Sequence, residues 1–154
     1  MKKMIFILFC VVTSASNALA QTPSYMGRSC WNVTITDTTV ENMPVPTTLV
    51  MTTDIVNMSE TTYSLTGYVT NSGDSPAMYG GVGQIIGNTI YLSLTGSQAH
   101  LTGGWRDSSV FHGELSLSNL SGTFYEVGND FNATTRASDN GRYTAGTISV
   151  ATCP

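Results

Sequence analysis

Beyond its third residue the chain contains no lysine. Its remaining basic residues are Arg28, Arg106, Arg136 and Arg142, set against 10 carboxylates. A chain so short of positive charge cannot neutralise a run of phosphates, so nucleic acid is a poor partner. Charge-driven binding to anionic lipid is disfavoured for the same reason. Without lysine there is no Schiff-base chemistry in the mature chain. Histidine is scarce too, with His100 and His112 the whole supply, and no Gly-x-Ser-x-Gly elbow occurs. Helix formers never gather into a 3.6-residue pattern, which excludes a helical domain.

What is present begins with a secretory signal. Lys2 and Lys3 precede an apolar run from Met4 to Val12, and Ala18-Leu19-Ala20 is a small-x-small cleavage site. Residues 1–20 read as a cleaved signal peptide and residues 21–154 as one all-β domain starting at Gln21. The apolar run is too short to span a bilayer, so the mature chain is not expected to be transmembrane. Cys10 leaves with the signal. Phe9 stands before it where lipidation needs a small residue, so no lipid anchor is expected. Losing Lys2 and Lys3 takes the formal charge from −4 to −6. The compact signal looks bacterial, and the destination is secreted or periplasmic. Sequons at Asn32, Asn57, Asn119 and Asn132 are read as unmodified.

Short alternating runs bounded by Gly, Asn, Asp and Pro predict strands at 28–37, 47–57, 61–71, 77–86, 89–97, 109–118, 120–127 and 142–152. Residues 98–106 and 130–137 are candidates for two further short strands. Gly87-Asn88 reads as a hairpin turn. Residues 71–76 and Asp139-Asn140-Gly141 read as turns, and Met43-Pro44-Val45-Pro46 as a stiff connector.

Cys30 and Cys153, the two cysteines left after cleavage, are expected to form a disulfide in an oxidising compartment. Trp31, Val33 and Ile35 share one strand face, and Cys30 lies on the other. Gly146, Ile148 and Val150 share a face, with Cys153 opposite. Antiparallel pairing with Cys30 across from Cys153 sets Val33 against Val150 and Ile35 against Ile148, with the sulfurs on the outer face. A one-residue slip would break both the disulfide and the apolar register. First and last strands are therefore neighbours.

Leu-Ser/Thr-Gly recurs at 65–67, 94–96, 101–103 and 120–122. The glycines either let inner faces coil and leave room, or mark ordinary bulges. Together these features predict an antiparallel up-and-down β-barrel of about eight strands, with a Greek-key β-sandwich as the alternative. Faces opposite the aliphatic stripes read as Thr, Ser and Asn, which argues against an outer-membrane barrel.

His112 and Glu114 share a strand face opposite Phe111, Leu115 and Leu117, so they belong to the wet side. Two ligands without a third define no metal site, and no cofactor is implied. Asp107-Ser108-Ser109 near a histidine is chance-level composition, so the chain is read as a non-enzyme. Convergence of three or more of His100, His112, Glu114, Asp107 and Glu126 in one cleft would revive an enzyme reading. Glu126 follows Leu120, Gly122 and Phe124 on one face. It is a polar anchor inside the barrel if the strand continues, and an exposed residue if the strand has ended. Trp31, Tyr63, Trp105, Phe111 and Phe124, with Glu126, are the candidate ligand-binding residues; Tyr79 is a further aromatic of the same kind.

A tryptophan in the first strand and an arginine entering the last, Trp31 and Arg142, resemble the arrangement of lipocalin-type and avidin-type barrels. The Gly-x-Trp motif of lipocalins is absent, since Gly27 lies four residues before Trp31. The resemblance implies architecture and leaves function open. The expected function is a barrel that binds a small apolar or amphipathic ligand inside. The alternative is a non-catalytic cell-surface or envelope-associated, adhesion-like domain with a protein partner, which predicts a solid core and an exposed apolar patch around Trp105 or Tyr79.

Overall fold

The computed structural model describes residues 22–70 and 75–154. The expected signal peptide, with Cys10, and the 71–74 part of the expected turn lie outside these residues. The chain folds as eight antiparallel strands: β1 (Ser24–Thr38), β2 (Thr47–Asn57), β3 (Thr62–Val69), β4 (Ala77–Ile86), β5 (Thr89–Ala99), β6 (Trp105–Ser116), β7 (Ser121–Asn132) and β8 (Ser138–Ala151). Each pairs with the next, and β8 returns to β1, closing an up-and-down barrel. No sheet edge is left open, which removes the usual hazard of unpaired backbone. The barrel, and not the sandwich, is the architecture.

Residues 98–106 do not form a strand of their own. Their ends extend β5 and β6, and residues 100–104 turn between them. β7 likewise runs on to Asn132 and β8 starts at Ser138. The turn expected at 139–141 is instead a bulge in β8: the register shifts opposite Gly128/Asn129, and Gly141 takes a φ of 90°. Gly87, with a φ of 61°, sits at a left-handed turn position that favours glycine, and Ile86 pairs with Thr89 across a two-residue loop.

The Cys30–Cys153 disulfide is present, with a Cα–Cα distance of 5.1 Å, and is consistent with an oxidising compartment. The expected register is off by two residues. Val33 pairs with Ile148, Ile35 with Gly146 and Cys30 with Ala151. β8 ends at Ala151, so Cys153 reaches Cys30 from beyond the last paired residue. A two-residue shift keeps every side chain on its face, so alternation could not detect it. Cys30 lies opposite the core face yet is only 1% exposed, and the Thr52 hydroxyl lies 3.7 Å from its sulfur.

Alternation puts Trp31, Val33, Ile35, Met51, Leu65, Leu94, Phe111, Leu115, Phe124 and Ile148 inside. Three of the four Leu-Ser/Thr-Gly glycines, Gly67, Gly96 and Gly122, fall in strands on this inner side, and Gly103 falls in the β5–β6 turn. The outer wall is less uniform than expected. β3 to β7 expose Tyr68, Met78, Val82, Tyr91, Val110, Tyr125 and Val127 among their Thr and Ser. Pairing register places each of these opposite the core-facing positions, so they are outward by alternation and not by local unravelling.

Candidate functional site

The barrel has two unlike ends. At one, short turns join β2 to β3, β4 to β5 and β6 to β7, beside the disulfide. At the other lie the β1–β2 connector, the β5–β6 turn and the β7–β8 turn. The last two are tied together. The Asn132 side-chain amide donates to the Gly103 carbonyl at 2.8 Å, and its oxygen accepts from the amides of Thr134 and Thr135. Ala133 N–H donates to the Gly104 carbonyl at 3.0 Å. Asn132 is 5% exposed, so its side chain is a loop clamp.

Beneath these loops the interior holds a cavity of about 200 Å³. Its deep wall is apolar, made by Ile35, Met51, Val69, Phe111 and Phe124. Phe111 and Phe124 stack with centroids 5.0 Å apart, and Tyr79 meets Phe111 edge-on at 6.3 Å. Toward the loops the lining turns polar: Tyr79, His100, Asp107, Glu126 and Arg142.

Strand pairing explains how such large polar groups fit inside a narrow barrel. One cross-strand row reads Tyr79, Gly96, Ser109, Gly128, Arg142. A Cβ on Gly96 would lie 2.7 Å from Tyr79 Cε1, and one on Gly128 would lie 3.3 Å from Arg142 Nη2. Each long side chain therefore lies over a glycine of the neighbouring strand. The two rows on either side bring Asp107 opposite Asp130, and Phe111 opposite Glu126.

The polar groups form a connected network. Asp107 Oδ2 lies 2.8 Å from His100 Nε2 and accepts from Arg142 Nη1 at 3.1 Å. Arg142 Nη1 is also 2.9 Å from Asp130 Oδ1. The Tyr79 hydroxyl donates to Glu126 Oε1 at 2.9 Å. Burial, reinforced by the Glu126 charge, pushes the Tyr79 phenol well above its ordinary value, so it stays a donor. Burial works against the Arg142 charge, but Asp130, Asp107 and Glu126 outweigh it and hold the guanidinium protonated.

The candidate residues are divided between the two ends. Phe111, Phe124 and Glu126 line the loop-end cavity. β7 does not end before Glu126, so the residue is inside the barrel and not on its surface. Trp31 and Tyr63 line an apolar recess of about 370 Å³ at the opposite end, with Leu65, Leu92 and Leu115. There the Trp31 indole donates to Thr53 Oγ1 at 2.9 Å. Trp31 and Arg142 thus serve opposite ends. Trp105 is half-buried at the start of β6 and lines neither space, and Tyr79 points inward, so neither centres an exposed patch.

His112 and Glu114 sit on the outer wall, where His112 packs on Tyr125 with centroids 5.0 Å apart. No group of three potential metal ligands occurs among the described residues. Of the five residues whose convergence would point to an enzyme, His100, Asp107 and Glu126 do share one cavity. Asp130 was missed because β7 was expected to end too early, and Asp107 was left outside β6 because that strand was expected to start too late. Extending the alternation of Phe111 back to Asp107, and of Phe124 on to Asp130, would have placed them inside. Comparison with protein-family models, with curated proteins and with solved structures finds no match for this chain.

Proposed function

We propose that this is a secreted or periplasmic barrel that binds one small amphipathic molecule through its loop end. The observation that carries the reading is a cavity with an apolar floor at Phe111 and Phe124 and a polar roof at Tyr79, Glu126 and Arg142. At about 200 Å³ it is somewhat larger than the roughly 150 Å³ cavity that accommodates benzene, so the occupant is of single-ring size. The ring or chain goes against the phenylalanines, and its polar group goes among the side chains under the loops.

The test is calorimetric titration with single-ring probes carrying an amine, an alcohol or a carboxylate. At least one should saturate at a single site, and Val69→Trp, which fills the cavity from its wall, should abolish that binding while the protein still melts cooperatively. Failure of every probe overturns the reading.

A second reading rests on His100 Nε2, 2.8 Å from Asp107 Oδ2, which is the base-and-orienter half of an acid–base site. It stands second because Arg142 shares the same carboxylate oxygen, and the Ser109 hydroxyl bonds Tyr79. Turnover of chromogenic esters, lost on His100→Ala, would move it to first place.

A further inference from the structure

The charge inside the loop end does not balance. Three carboxylates, Asp107, Glu126 and Asp130, outnumber the two groups beside them that can carry positive charge, the Arg142 guanidinium and the His100 ring. Asp107 is 8% exposed, and its Oδ2 takes both His100 and Arg142, while its Oδ1 has no hydrogen-bond partner. A buried carboxylate oxygen without a donor is costly, and native proteins retain one chiefly where something else completes it. Asp107 and Glu126 both line the cavity, so the excess negative charge borders that space. Arg142 does not offset them toward a ligand, because it is already committed to Asp107 and Asp130.

Resting on the proposed small-ligand reading, we infer that the occupant is a cation: a primary amine on a single-ring or short alkyl body, its ammonium held between Glu126 and Asp107. An ammonium brings donors and no acceptor, which matches the acceptor oxygens of Glu126 and Asp107. Its charge cancels part of the surplus carboxylate charge. Its body lies on Phe111 and Phe124, whose faces also favour a nearby cation. An anionic head is repelled by Glu126, and the Arg142 charge is already paired with Asp107 and Asp130.

The probes are phenethylamine, 2-phenylethanol and phenylacetate, which share one ring and differ in head charge. Phenethylamine should bind about tenfold or more tighter than 2-phenylethanol, with phenylacetate weakest, because only the amine makes charge-assisted hydrogen bonds to the carboxylates. Glu126→Gln keeps an acceptor for the Tyr79 hydroxyl and removes the charge. It should erase most of the amine preference, bringing phenethylamine binding down toward that of 2-phenylethanol. Asp107→Asn should act in the same direction, and a cooperative melt of each variant shows that it is folded.

Equal binding of the three probes, or preference for phenylacetate, overturns the cationic assignment and leaves the small-ligand reading standing. An amine preference that survives both substitutions overturns it as well. Binding of none of them overturns the small-ligand reading itself.

Discussion

The two ends of this barrel are built from one repeating pattern and put to different use. At the hairpin end the inner positions are Trp31, Leu65, Leu92 and Leu115, and the one polar atom that Trp31 carries finds Thr53. At the loop end the same inner positions carry Tyr79, Asp107, Glu126 and Arg142. Apolar burial favours folding at about 25 cal/mol per Å², whereas a buried ion network is close to neutral against an apolar equivalent. Stability thus concentrates near the disulfide, and chemistry under the loops. A closed barrel permits this division because each strand runs from one end to the other, so anchoring one end holds all eight strands in register at the other.

That contrast can be broken in order of size. Replacing Cys30 and Cys153 by serine should have the largest effect. It reopens a loop of 123 residues and should cost up to about 4–5 kcal/mol by urea unfolding, while leaving probe affinity at the loop end unchanged. Equal loss of affinity would show that the ends are not independent. Leu115→Ala, at a side chain 1% exposed, should cost about 3 kcal/mol, again without altering affinity.

Gly96→Ala should behave in the opposite way. Its Cβ would sit 2.4 Å from Ser109 Oγ and 2.7 Å from Tyr79 Cε1. The expected cost is smaller, about 1–3 kcal/mol, but Tyr79 must leave Glu126, so probe affinity should fall in the same titration. Unchanged affinity would remove Tyr79 from the site.

The smallest effect belongs to the outer wall. Arg28 and Tyr25 hydrogen-bond Asp54 and hold its carboxyl below the ordinary range. A depressed carboxyl adds stability above its unfolded value and loses it as pH falls through the folded one. Because the pair is exposed, Asp54→Asn should leave the neutral-pH melt almost unmoved and only flatten its acid limb. A large shift at neutral pH would mean that the outer wall near the disulfide matters as much as the inner one.

Much of the barrel was legible in the chain. β2 and β4 fell at their expected bounds because Pro46 and Asn57, and then Pro76 and Gly87, punctuate them sharply. β6, β7 and β8 ran longer than expected because their extensions are polar, and polar residues at strand ends look like loop. The same cause hid most of the candidate site. Phe111 and Phe124 were visible as apolar residues in alternation, while Asp107 and Asp130 lay where the pattern had faded.

By itself, the amino-acid order determined that the chain is all-β, which side of each strand is inward, and that Cys30 and Cys153 bring the two ends together. These are local properties, set by a side-chain period of two and by turn residues. Only the tertiary structure decided the register between β1 and β8, since an even shift leaves every face intact. It alone decided that Tyr79 and Arg142 reach across glycines to flank one cavity, because residues 63 positions apart meet only once eight strands have closed.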